Sequence, residues 1–224
     1  MTFLQICQRL RQEAGISGIG PSTVVSQTGE MRRIVDWVNT AYEDIQLARS
    51  NWNWMRGDFS FNTTANDYDY TAAEAGIASR FSQWDVDTIK SFRTSVGVSN
   101  EFELGELFYS HYRSIYLTGS QSADTPVCFS IGPDRKLLLG PKPNGIFTVS
   151  GQYWKSPQVL AANADEPEMP AEYHMLIVWM ALEQYGLYES AGECVMRGQK
   201  NSKRYMNRLE INQLPDVGMA NPLA

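Results

Sequence analysis

Histidine and cysteine are scarce in this chain: His111, His174, Cys7, Cys128 and Cys194 are all it offers for imidazole or thiolate chemistry. The histidines stand in no HExxH or HxH arrangement, so a histidine-based metal site would need unusual partners. His111 lies beside Tyr109 and Tyr112, and His174 in the first turns of an expected helix. Both are expected at the surface or at an edge. No GxSxG elbow is present, and the cysteines have apolar neighbours, where Cys behaves as a small hydrophobe. Asp165, Glu166 and Glu168 could pair two carboxylates for acid–base work, but they sit just before a helix, where capping and dipole interactions account for them. No P-loop is present. Gly15-Ile16-Ser17-Gly18-Ile19-Gly20 has other spacing and follows a helix instead of a strand, as a linker does. No cofactor or metal is expected, and no motif argues for catalysis.

The elements that would hold these residues follow from the hydrophobic period. Thr2 and Gln5 have capping-box spacing, and Phe3, Leu4, Cys7, Leu10 and Ala14 recur at helical intervals until Gly15. After a Gly/Ser/Pro-rich loop, Met31, Ile34, Val35, Val38, Ala41, Tyr42 and Ile45 predict a helix from near Thr28 to near Ser50. Near Asp58 the period becomes alternating. Phe59 and Phe61, a turn at Asn66-Asp67, then Tyr68 and Tyr70 have the pattern of a hairpin. Trp84–Val98 alternates imperfectly, with Val86, Phe92, Val96 and Val98 expected on one face. Leu104, Phe108 and Tyr112 predict a short helix over 104–117. A three-stranded meander is expected next, over 127–131, 137–139 and 146–154. Pro170 opens a further helix, and its segment Met175–Leu182 is apolar on every face. Gly186 and Gly192 predict a break, and a last helix runs to about Gln213, ahead of Pro215.

The expected fold is therefore α+β. N- and C-terminal helices, 1–57 and 156–213, form one helical bundle. An antiparallel β-rich layer with a short helix, 58–155, is inserted between them, and 214–224 is an extended arm. The 43% apolar and 20% charged residues exclude a disordered chain. Met175–Leu182, the longest apolar run, falls far short of a membrane span. No apolar signal segment is expected at the start, and an odd, scattered set of cysteines fits a reducing compartment.

Charge is segregated. The net charge of −6 argues against a protein whose main task is to grip nucleic acid. Ser156–Met196 contains no Lys or Arg but seven acids, Glu183 and Glu189 among them. Arg197–Arg208 contains five bases, Arg197, Lys200, Lys203, Arg204 and Arg208, and no acid. The pattern fits either two solvated helix faces or oppositely charged faces of neighbouring subunits.

Several strings then resemble one family. They are Gly132-Pro133-Asp134-Arg135, Leu137-Leu138-Leu139-Gly140-Pro141-Lys142-Pro143, and Tyr153-Trp154-Lys155-Ser156-Pro157 with Leu160. The acidic Glu166-Pro167-Glu168-Met169-Pro170-Ala171-Glu172-Tyr173 leads into the apolar helix, and Ile34–Tyr42 has an Asn-x-Ala-Tyr core. In this order they resemble the head–tail adaptor (neck or connector) proteins of tailed bacteriophages. The resemblance implies a virion protein forming a homo-oligomeric ring, usually twelvefold, between the capsid portal and the tail or nozzle proteins. It implies assembly in the host cytoplasm, genomic double-stranded DNA passing through the lumen, and no membrane partner. It also implies a C-terminal docking arm, whose apolar residues would be Leu214, Val217, Met219 and Leu223. On the residues alone, a monomeric binding module and an enzyme with an unrecognised site stay open.

Overall fold

The structure, a computed structural model, describes residues 1–214. It divides into two compact units: Met1–Met55 with the chain from Pro157 on, and Arg56–Ser156.

The first unit is a helical bundle. Helix α1 (Phe3–Glu13) opens with the expected capping box, Thr2 and Gln5 each bonding the other's backbone N–H. It ends where Gly15 adopts φ +70°. Helix α2 (Gly29–Leu47) buries Ile34, Val38, Ala41, Tyr42 and Ile45, the periodic residues of the sequence. Their packing against Phe3, Ile6, Leu10, Leu176, Ile177, Ala181 and Leu182 makes one core.

In the second unit the chain builds two four-stranded sheets where a single layer is expected. Strands β1 (Arg56–Asn62), β3 (Phe81–Arg93), β4 (Phe102–Glu103) and β8 (Phe147–Lys155) form one sheet in the order β1-β8-β3-β4. Strands β2 (Asp69–Tyr70), β5 (Gly105–Glu106), β6 (Cys128–Ile131) and β7 (Leu137–Gly140) form the other, β2-β7-β6-β5. All pairs are antiparallel except β5–β6. Phe59, Phe61, Trp84, Ile89, Phe129, Leu137, Leu139 and Val149 form their common core.

Four expectations need correction here. The segments around Phe59 and Tyr70 are no hairpin: β1 pairs with β8 and β2 with β7, and Asn66 turns the chain from one sheet to the other at φ +69°. The three strands are no single meander either. β6 and β7 pair, but β8 leaves for the first sheet after the turn at 140–145. In β3 the buried residues are Trp84, Asp85, Ile89 and Ser91, while Val96 and Val98 are exposed past the strand's end. The register with β8 shifts between Asp85 and Lys90, so the inward phase passes from even to odd positions. Lastly, the helix α3 (Tyr109–Tyr116) starts five residues late. Leu104 donates its N–H to Ile89 and Leu107 to Phe129, so extended pairing claims the segment first. Phe108 is left 75% exposed.

The C-terminal part of the bundle comprises α4 (His174–Tyr188) and α5 (Gly192–Gln213). Leu176, Ile177, Val178, Ala181 and Leu182 are all buried, because α4 packs on α1, α2 and α5 together. Gly186 does not break α4. A Cβ there would stand 2.8 Å from the Val195 backbone nitrogen, so the glycine lets α5 approach. The break falls at Ser190, in a left-handed conformation at φ +57°.

Candidate functional site

The outer side of α4 and α5 carries most of the expected interface residues. Lys200, Lys203, Arg204 and Arg208 are exposed on α5, and no acid pairs with them among the described residues. With Met196, Asn207 and Ile211 they lie on the face opposite buried Gly198 and Leu209, since positions three, four and seven apart stack on a helix. Arg197 is different: it bonds Glu13 at the end of α1, a carboxylate also held by Arg9. Glu183 is half-buried and accepts from Gln199 at 3.0 Å, so its partner is in its own chain. Glu189 is exposed at the C-terminal end of α4. Leu214 follows α5 and packs against the bundle core. Val217, Met219 and Leu223 lie outside the described residues.

Residues with catalytic potential are dispersed. His174 is 2% exposed, not at the surface as expected, whereas His111 is exposed. The His174 ring spans Met1 and Met169, with Nδ1 2.7 Å from the amino group of Met1 and Nε2 3.0 Å from the Met169 carbonyl. A neutral imidazole fits both, Nε2–H donating and Nδ1 accepting. Burial holds its pKa below the usual 6.5. The unfolded chain therefore takes up the proton first, and the stability this group supplies is full above that value and declines as pH falls below it. We expect the urea midpoint to drop between about pH 7.5 and about pH 5.5, with a smaller drop in His174→Gln. Equal slopes in the two proteins would show that another group sets the dependence.

Burial pushes the Cys7 thiol up to about 12 and raises that of Cys128, the opposite of an activated thiolate. Asp165 accepts the N–H groups of Ala161 and Ala162, which lowers its pKa and fixes the loop ahead of α4. A cleft of about 260 Å³ beside α3 is lined by Tyr68, Tyr112, Tyr116, Gln121 and Lys142. Burial raises the Tyr116 hydroxyl to about 12 and raises that of Tyr112, which donates to the Leu139 carbonyl. It offers no acid–base pair. No group of three His, Cys, Asp or Glu side chains among the described residues has metal-site geometry.

The model of the SU10 adaptor protein family matches residues 1–222. The chain belongs to that family, one of phage head-to-tail adaptors. A search of curated proteins finds no match. In the SU10 adaptor protein fold seen here, the likeness carried by Ile34–Tyr42 and by Glu166–Leu182 lies in the bundle, where Tyr42 donates to Gln158 and both contact the backbone N–H of Glu168. These residues staple α2 to the loop that precedes α4. No helix among the adaptor's described residues is long and apolar enough to cross a membrane. A second charged face lies on α2, where Asp36, Glu43 and Asp44 are exposed with Leu47 beside them. Its signal in the sequence is the lack of any base from Ile34 to Ala48.

Proposed function

We propose that copies of this adaptor close into a ring, on the family resemblance a dodecamer, that joins the portal to the tail or nozzle proteins. Genomic double-stranded DNA passes through the lumen without sequence-specific contacts. The ring sits in the neck of the virion and assembles in the host cytoplasm, and its role is structural, not catalytic. The observation that carries this reading is the family match along nearly the whole chain. The net charge of −6 is in keeping with it, because a strongly basic lumen would retain DNA through its phosphates. In this reading residues 1–57 and 156–213 act as the helical domain, 58–155 as the β-rich insertion, and 214–224 as an arm onto the portal or a neighbouring subunit.

Electron microscopy of the full chain mixed with its portal protein tests the reading. Rings coaxial with the portal are the expected result; single bound copies, or no binding, would overturn it. Deleting residues 216–224 tests the arm. We expect the thermal midpoint to stay within about 2 °C, because among the described residues α1, α2, α4 and α5 already share one buried core. Portal affinity should fall at least about tenfold, since weak contacts linked in a ring multiply. Full-strength binding by the truncated chain would remove the arm from the reading.

A further inference from the structure

We propose that the ring contact is made by the basic face of α5 on one copy seated against the acidic face of α2 on the next. This rests on the ring reading above and names the surfaces that close it.

The two faces are complementary in charge and in apolar margins. On α5, Lys200, Lys203, Arg204 and Arg208 stand exposed, without an acidic partner among the described residues. Met196, 67% exposed, and Ile211, 83% exposed, bracket them on the same stripe. On α2, Asp36, Thr40, Glu43 and Leu47 recur at intervals of four, three and four, with Asp44 beside them and Leu47 63% exposed. Asp36 is paired with Arg32, but Glu43 and Asp44 have no cationic partner among the described residues. At 1.5 Å per residue the stripes run about 22 Å on α5 and about 16 Å on α2, so one can cover the other.

The position of the acids strengthens the assignment. Glu43 and Asp44 lie in the last turns of α2, which has no base in its final turn. Carboxylates are unfavourable at the negative end of the helix dipole, and a neighbour's cations would relieve both that and their mutual repulsion. The expected acidic partners on α4 serve less well, because Glu183 is already bonded to Gln199.

Geometry favours a head-to-tail contact. α4 packs against both α2 and α5, which hardly touch each other, so the outer faces of α2 and α5 are separate surfaces of one unit. A copy whose α5 engages the next copy's α2 keeps its own α2 free, and such heterologous contacts form a ring where the rotation from copy to copy closes. Duplex DNA is the competing occupant of the basic face. The exposed Met196 and Ile211 offer nothing to phosphates but give apolar area that a protein contact would bury.

Self-association of the full-length chain, free and with portal protein, tests the proposal by sedimentation at low and at about 0.5 M salt. The α5 variant Lys200→Glu/Arg204→Glu and the α2 variant Glu43→Lys/Asp44→Lys change only exposed side chains, and circular dichroism checks their fold. Each alone is expected to associate about ten- to a hundredfold more weakly. An equimolar mixture of the two is expected to assemble again, because each then supplies the charge the other lacks. Wild-type rings indifferent to either reversal, or a mixture that fails to assemble, would overturn this interface and leave the ring reading standing. A wild-type chain monomeric with and without portal would overturn both. If reversing α5 spares assembly but abolishes binding to a DNA duplex, the face belongs to nucleic acid and the proposal is wrong.

Discussion

Replacing Gly198 with valine should cost the adaptor about 3 kcal/mol, among the largest effects a single methyl-bearing side chain can have here. A Cβ at this position would lie 2.9 Å from the Glu183 nitrogen and 2.9 Å from the Trp179 carbonyl oxygen. Both are backbone atoms inside α4, so neither can swing aside as a side-chain end would. α5 must lift off α4, and the burial of Leu209 and the half-burial of Tyr205 and Met206 suffer with it. Gly198→Ala should cost about 2 kcal/mol despite alanine's better helix propensity. Gly192 supplies the contrast. A Cβ there meets nothing within 4 Å and the residue needs no positive φ, so Gly192→Ala should be neutral or stabilising by up to about 1 kcal/mol. Urea unfolding of the three variants decides the matter. A Gly198→Val protein as stable as wild type would mean that the helices are not in contact at this point.

That contact shows what a sequence can and cannot reveal of this fold. The glycines at 186 and 198 are visible as helix-weakening residues, but only the crossing of α4 over α5 turns them into points of close approach. Local signals were sufficient elsewhere: the Thr2–Gln5 box, the periodic face of α2 and the all-round apolar run of α4 each encode their own outcome within a few residues. The division of strands between two sheets is not local. Alternation tells which side of β8 is buried, yet nothing in 147–155 distinguishes β7 from β1 or β3 as its neighbour. The phase change within β3 is equally invisible, since it depends on Thr88 accepting the Gln152 N–H while donating to Asp85. His174 looks like an edge residue because the groups that satisfy it, Met1 and Met169, are brought to it by packing. The basic stripe of α5 is legible as a run of bases without an acid, of which Arg197 pairs with Glu13. The acidic stripe of α2 shows in the sequence only as a stretch without bases, and burial is needed to set Asp36, Glu43 and Asp44 apart from the core side.

Trp52→Ala should destabilise the helical unit by about 4 kcal/mol, the larger of the two effects. The residue lies in the connection that follows α2, five positions past Leu47, and is fully buried, in a stack with Trp54 at 4.5 Å between ring centroids. It does two things at once. Its ring fills the core beside the end of α2, and truncation to a methyl leaves a cavity that a close-packed helical core can only partly collapse. Its indole N–H also donates to the Ile45 carbonyl at 2.9 Å, near the end of α2, where carbonyls lose their helical partners. Trp52→Phe separates the two contributions. Phenylalanine keeps much of the volume but leaves the buried carbonyl without that donor, so its cost should be about 2 kcal/mol. With urea slopes of about 2 kcal/mol per molar, the midpoints should fall by about 2 M for alanine and about 1 M for phenylalanine. A Trp52→Ala loss below about 1 kcal/mol would mean that the ring is not packed as described. Equal losses for both variants would shift the weight from packing to the hydrogen bond. Because Trp52 anchors the end of α2, loss of its ring should also loosen the turn that presents Glu43 and Asp44, so self-association should weaken in Trp52→Ala even under conditions where the chain remains folded.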